Sequence, residues 1–210
     1  FLTILIAFFI STDSYNSKNF FEILSFWEKG LWDNKLMVFA LQMMLMLVLG
    51  HSLALSKPIS KIINNITIHC NNTANAAAIV TFTTLLVAFF NWGLGLIFGA
   101  IFARKVGEHA SKNNIPLNYP LIGAAGYSGL MIWHGGISGS APIKIAEQGH
   151  FLAEKIGTIS QAETIFSAMN VTISLSLIVI LPLFMFFLAK KTKSELVNII
   201  EVEKIEKIKL

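Results

Sequence analysis

Glycine placed inside apolar runs is what most limits the folds open to this chain. Ten of its 14 glycines lie between Gly93 and Gly139, within two runs otherwise apolar enough to sit in lipid. The first run is interrupted at Asn91-Trp92-Gly93-Leu94-Gly95. The second is interrupted at Gly126-Tyr127-Ser128-Gly129 and again at His134-Gly135-Gly136-Ile137-Ser138-Gly139-Ser140. Glycine costs a helix interior roughly 1 kcal/mol relative to alanine. Non-helical backbone at membrane depth persists only where it is buried in protein or lines a polar cavity. Broken intramembrane helices are therefore a pointer to a transport site.

Composition agrees with a polytopic membrane protein. Hydrophobic residues make up 54%, charged residues 13%, and the mean hydropathy is +0.66, whereas a soluble domain carries about 25% charged residues. The net charge of +4 comes from Lys and Arg in short connections and at the C-terminal end, where membrane topology accounts for them. No nucleic-acid site is visible. Cys70 is a single cysteine, which excludes an intrachain disulfide and a thiol metal cluster.

Phe1 to Ile10, without an initiator Met, reads as the end of a cut span, so something upstream is expected to be missing. Ser11 to Lys35 mixes charge with Phe20, Phe21, Phe26, Trp27 and Trp32, as an interfacial anchor does. Leu36 to Leu55 predicts a transmembrane helix, unbroken except at Gly50-His51. From Ser56 to Thr73 the apolar residues recur at helical spacing after Pro58, predicting a helix lying flat on the bilayer.

Ala76 to Phe90 and Leu94 to Val106 are each too short, at about 22 Å and 20 Å of helix, to cross a ~30 Å hydrocarbon core. Lys57 and Lys61 precede this segment, and Arg104, Lys105 and Lys112 follow it. Two basic flanks place both ends in the cytoplasm, so a re-entrant hairpin with its tip at Asn91-Trp92-Gly93 is expected. Tyr119 to Ser140 then crosses outward and breaks at the Gly-Gly and Ser-Gly-Ser steps. Phe166 to Ala189 returns, kinked by Pro182, to Lys190, Lys191 and Lys193. Residues 1–193 thus form a membrane domain, and 194–210 an amphipathic cytoplasmic connector.

The motifs Gly50-His51-Ser52-Leu53-Ala54, Asn91-Trp92-Gly93-Leu94-Gly95, Tyr127-Ser128-Gly129 and Trp133-His134-Gly135-Gly136 through Ser138-Gly139-Ser140-Ala141-Pro142 resemble, in order and spacing, the short-chain fatty acid transporter family, bacterial carriers of acetoacetate and butyrate. The resemblance covers only the first half of such a carrier. It implies an all-α polytopic membrane protein of the ion-transporter superfamily, here one inverted repeat with a re-entrant helical hairpin and a broken transmembrane helix. It further implies a secondary transporter in the bacterial inner membrane, importing a short-chain monocarboxylate with Na+ or H+ and completed by a second half or by a second copy in a homodimer.

A carboxylate needs hydrogen-bond donors and positive potential, which backbone N–H groups at broken-helix ends supply. The expected contacts are Asn91, Gly93, Gly95, Ser128, His134, Gly135, Gly136, Ser138, Gly139 and Ser140, with carbonyls near Asn91, Gly93 and Ser138 as a sodium site. No cofactor or structural metal is expected. Two duller roles stay open. Ser138 and Ser140 can satisfy freed backbone groups at a kink, and Gly123, Gly126 and Gly129 can serve close helix packing. His134 is either a proton carrier or a ring packed beside Trp133.

Gly136-Ile137-Ser138-Gly139 also spells the GxSG of rhomboid-type intramembrane serine proteases. That chemistry needs a histidine base within reach, and Phe166 to Ala189 contains none. A non-catalytic membrane assembly subunit leaves the glycine clustering unexplained. The hairpin reading predicts that thiols introduced at Asn72 and Asn113 react with a membrane-impermeant maleimide from the cytoplasmic side. Labelling from opposite faces rules the re-entrant arrangement out.

Overall fold

Asn91 is the only residue between two long helices. Helix α5, Thr73–Phe90, ends on it, with the Asn91 N–H donating to Val87 O at 2.9 Å. Helix α6, Trp92–Lys112, begins on it: Asn91 Oδ1 accepts the Leu94 N–H at 2.9 Å, and its carbonyl accepts the Gly95 N–H at 2.9 Å. The extended backbone of Asn91, φ −150° and ψ 117°, reverses the chain. Ala88 then faces Gly95 and Thr84 faces Gly99 across an antiparallel pair. A Cβ on Gly95 would lie 2.6 Å from Ala88 Cα, so only glycine permits this approach.

The computed structural model describes residues 2–10, 17–54, 56–150 and 152–197. The chain divides into two units, 1–46 and 47–210. The first holds α1, Leu2–Ile10, and α2, Ser17–Leu31, which meet edge to face through Phe8 and Phe20 with ring centroids 6.0 Å apart. Phe21, Phe26, Trp27 and Trp32 are exposed, as suits an anchor at a membrane interface. Residue 1 and residues 11–16, part of the expected cut span and anchor, lie outside the described residues.

Helix α3, Asn34–Ala54, passes from the first unit into the second, continuous through Gly50 and His51 where an interruption was expected. Gly50 is buried because the α6 side chain of Ile97 covers it, 3.3 Å from a Cβ built there. Helix α4, Lys57–Thr67, starts with proline in its first turn. It buries Ile63 and Thr67 and exposes Lys57 and Lys61, the amphipathic pattern the sequence carries.

Capping lengthens both hairpin arms beyond expectation. Asn72 Oδ1 accepts the Asn75 N–H at 2.9 Å and starts α5 three residues early, giving 18 residues, about 27 Å of helix. The other arm runs past Val106 to Lys112, 21 residues, about 31 Å. Its charged end is held by Arg104 Nε and Lys105 Nζ on Glu108, at 3.0 and 2.9 Å. Length alone thus no longer separates re-entry from crossing. Leu36–Leu53, Thr73–Phe90 and Ala168–Lys190 are each long and apolar enough to span a membrane.

A two-residue strand β1, Pro116–Leu117, leads into α7, Tyr119–Tyr127. At nine residues, about 13 Å, α7 stops at the first expected interruption, Gly126-Tyr127-Ser128-Gly129, ahead of the Gly-Gly step. It gives way to single 3₁₀ turns at Ser128–Met131 and Trp133–Gly135, an extended Gly136, and then α8, Ser140–Ala146. This helix is broken from Ser128 onward. It crosses α6 where Gly99 meets Gly126, and a Cβ on Gly126 would sit 2.6 Å from Gly99 O. The loop beyond carries two short helices, α9, Ala153–Ile156, and α10, Gln161–Thr164.

Helix α11, Ala168–Lys190, lies along α5. Ser174, Pro182, Met185 and Ala189 form its buried face, while Met169, Ile173, Ile180, Phe184 and Phe187 are exposed. An apolar helix left bare on most sides is suited to lipid.

At the start of α5 the chain is clasped. Strand β2, Glu195–Leu196, pairs antiparallel with β1. The Thr73 and Ser194 hydroxyls are 2.7 Å apart, the Asn118 N–H donates to Thr73 Oγ1 at 3.0 Å, and Asn118 Nδ2 donates to Lys193 O at 3.1 Å. The expected boundary at residue 193 falls inside this clasp, and residues 198–210 of the connector lie outside the described residues.

Cys70, between α4 and α5, is fully buried, and loss of solvent pushes its thiol up from 9.0 to about 12. The thiolate is the reactive form. Maleimide labelling of the folded protein at Cys70 is therefore expected to stay negligible as pH rises from about 7 to about 9, while the denatured chain labels fully. Rapid native labelling shows the burial to be wrong.

Candidate functional site

The two interrupted segments meet. The Ile137 N–H donates to Phe89 O, at the end of α5, at 2.8 Å. The Trp92 N–H, at the start of α6, donates to Ser138 Oγ at 2.9 Å. Gly136 sits so close that a Cβ there would be 2.5 Å from Phe89 O. Backbone groups that each break leaves open are thus answered by the other break, which is what a low-dielectric setting demands.

This accounts for several expected site residues at once. Asn91, Gly93, Gly95, Gly136 and Ser138 come together at the hairpin tip. Ser138 accepts from Trp92, which leaves the hydroxyl proton and a lone pair for another partner. Asn91 spends its amide oxygen on Leu94. Gly139 folds over the same turn: its N–H donates to Gly136 O at 3.0 Å, and a Cβ there would meet His134 O at 2.5 Å. Ser140 opens α8 and is exposed.

Ser128 has a local occupation. Its hydroxyl donates to Ala125 O at 2.6 Å, the kink role the sequence left open. The adjacent Gly129 packs on α5, where its Cβ position is 2.9 Å from Ala88 Cβ. His134 is exposed, its ring centroid 4.2 Å from that of Trp133. Trp133 in turn meets Trp92 edge to face at 4.9 Å. An aromatic wall therefore joins the hairpin tip to the broken helix beside Ser138.

Sequence reasoning missed Asn170, in the first turn of α11. Its Nδ2 donates to Gly135 O at 2.9 Å and to Ile165 O at 2.7 Å. A Cβ on Gly135 would be 2.5 Å from Asn170 Oδ1. Asn170 thus fastens the broken segment to the last span. A signal was available, since it is the one asparagine in α11. Among the described residues, no three His, Cys, Asp or Glu side chains gather as a metal site.

The GxSG reading finds no support in this geometry. The Ser138 hydroxyl accepts the Trp92 N–H as part of the joint between the two breaks. His134 lies against Trp133, and His150 Nε2 is 2.9 Å from Gly157 O in the following loop.

The family model described as short chain fatty acid transporter matches residues 1–209. The chain belongs to that family. An Escherichia coli strain K12 protein, provisionally described as a short-chain fatty acid transporter, is 34% identical over 160 residues, which is 76% of this chain and 35% of that protein. A Haemophilus influenzae protein with the same description is 33% identical over 177 residues, 81% of this chain and 38% of the relative. The chain spans little more than a third of the length of these relatives. No solved structure matches it. Membership in this transporter family, with three apolar helices of spanning length, makes the chain a membrane protein.

Within this family member, Asn170→Leu is expected to lower stability in detergent by about 1–3 kcal/mol, because it strips the donor from two carbonyls. Ser128→Ala removes a single local bond and is expected to cost less than about 1 kcal/mol. Thermal unfolding of the two variants against the parent decides. Equal midpoints for Asn170→Leu and the parent remove Asn170 from the site.

Proposed function

We propose that this chain is one half of a secondary carrier that imports short-chain monocarboxylates, acetoacetate and butyrate among them, across the bacterial inner membrane. The observation that carries this reading is the direct joining of two interrupted helices through Trp92 N–H to Ser138 Oγ and Ile137 N–H to Phe89 O. Such paired breaks are how carriers build a solute site at membrane depth. The α5–α6 pair is the re-entrant hairpin, its flanking Lys57, Lys61, Arg104 and Lys105 sharing the cytoplasmic side, and the stretch from Ser128 to Ser140 is the broken helix of the same repeat.

Neutral donors recognise the carboxylate here: the Ser138 hydroxyl proton, the Asn91 amide and the N-terminal end of α6, whose dipole favours an anion. Gly93 lies beside these donors at the start of α6, while Gly95, Gly135 and Gly136 shape the site by letting Ala88, Asn170 and Phe89 O pack close. Ser140, His134 and Ser128 lie along the same broken segment, and Gly139 shapes its turn. The coupling ion is Na+ held near Asn91, Gly93 and Ser138, or H+ carried by His134. An inverted second repeat supplies the opposite wall, either from a further segment, for which the greater length of the relatives leaves room, or from a second copy of this chain.

Vesicle uptake tests this directly. The 210 residues alone are expected to show no saturable uptake of labelled butyrate, and co-expression with the second half of a relative is expected to restore it. In the restored carrier, Ser138→Ala and Asn91→Ala reduce uptake at least about 10-fold, the loss of roughly one charge-assisted hydrogen bond, at unchanged membrane expression. Sodium and pH gradients imposed separately assign the coupling ion. Saturable uptake by the 210 residues alone replaces the two-half arrangement with a homodimer, and normal kinetics in both variants remove the tip as the substrate site.

A further inference from the structure

The seam where α11 runs back along α5 carries two hollows away from the hairpin tip. One, of about 380 Å³, lies where α5 begins and α11 ends, with Asn72, Asn75, Phe186, Ala189, Lys190 and Ser194 in its lining. The other, of about 430 Å³, is lined by Ile66, Ala78, Ile79, Phe82 and Pro182 together with His69 and Thr83. The Thr83 hydroxyl is already spent on Ile79 O at 2.8 Å. Asn75, Ala78, Ile79 and Phe82 recur every three or four residues and so share one face of α5, as Pro182, Phe186 and Lys190 share one face of α11. The hollows therefore follow one another along a single flank of the seam, the polar one at the helix ends and the apolar one about 10 Å further in.

The polar hollow holds donors that the protein itself does not use. A lysine at the end of an apolar helix ordinarily extends to water, yet Lys190 Nζ stands 4.4 Å from the ring centroid of Phe186, a side chain that lines the hollow. Among the described residues no carboxylate pairs with Lys190, and none of the residues lining the hollow is acidic. Asn72 gives its Oδ1 to the Asn75 N–H and keeps both amide protons. The Asn75 side-chain amide has no partner among the described residues. The neighbouring hydroxyls are engaged, Thr73 with Ser194 and Thr192 with Ala189 O.

We propose that this flank binds an anionic phospholipid, its phosphate on Lys190 and the Asn72 and Asn75 amides and an acyl chain along Ile79, Phe82 and Pro182. Basic pockets between spanning helices recognise lipid headgroups, and a polar hollow followed by an apolar one repeats the order of the lipid from membrane surface to interior. A soluble phosphate has no use for the apolar hollow. With no acidic residue in the lining, nothing pairs the ammonium of a zwitterionic headgroup, so a net negative one is preferred. The inference needs only that α5 and α11 lie in a membrane, and it is independent of the substrate and the coupling ion proposed at the tip.

Thermal unfolding of the purified chain in a neutral detergent tests this without any transport. Added phosphatidylglycerol is expected to raise Tm by about 5 °C, whereas phosphatidylcholine and soluble glycerol 3-phosphate leave it unchanged. Lys190→Gln, a change at an exposed side chain, abolishes the rise. Lys191→Gln removes the same charge one residue away and keeps it. A parent with no rise, an equal rise in phosphatidylcholine, or a rise that survives Lys190→Gln overturns the proposal. A full rise with glycerol 3-phosphate overturns it in favour of a soluble phosphate, and a rise lost equally in both lysine variants overturns it in favour of diffuse surface charge.

Discussion

The double cap at Asn91 is the constraint on which the rest of this fold depends. One residue ends α5 and starts α6, so the two helix axes have no room to separate before they run back along each other. Close approach is then obligatory for the next two turns, and Ala88, Gly95, Thr84 and Gly99 are the small residues that allow it. The same reversal points an end of each helix, Phe89 O and Trp92 N–H, at one spot. In lipid such groups cannot turn to water. The broken segment supplies their partners through Ile137 and Ser138, so the two glycine-rich interruptions satisfy one another.

Much of this arrangement was legible in the sequence, for a physical reason. Glycine disfavours helix strongly enough that a cluster inside apolar runs is a signal of broken backbone, and the family motifs sit on those same residues. Element lengths were less legible. Apolar content marks what lipid tolerates, whereas helix ends are set by caps, and Asn72 and the Arg104–Glu108 pair extend both arms past their apolar stretches. The break after Tyr127 falls at the first glycine interruption, Gly126 to Gly129, ahead of the Gly-Gly step, and the ending of α7 follows from Gly126 packing on Gly99 and Ser128 turning back to Ala125 O.

Pairings across long separations were not legible at all. Helical periodicity shows which face is apolar, not which residue lies opposite. Asn170 with Gly135, and Thr73 with Ser194 and Asn118, join positions whose local sequence carries no record of each other. These are also the bonds that turn separate helices into a scaffold. The clasp at the start of α5 draws on two strands, two hydroxyls and an asparagine, while the tip is fastened to the broken segment by single hydrogen bonds.

That asymmetry bears on how a weakly held solute can act on the protein. A buried hydrogen bond contributes about 1 kcal/mol net, so a carboxylate that takes over the Trp92 N–H from Ser138 exchanges one bond for a similar, charge-assisted one. The exchange is close to balanced, and the displaced Ser138 hydroxyl can still donate to the same ligand. A site built on an Arg or Lys would instead hold a small anion too firmly to let it leave, and would carry an isolated buried charge whenever it was empty. Under the proposed reading, neutral donors at mutually capped helix ends keep the empty and filled states close in energy, and a carrier that must release what it binds needs that balance.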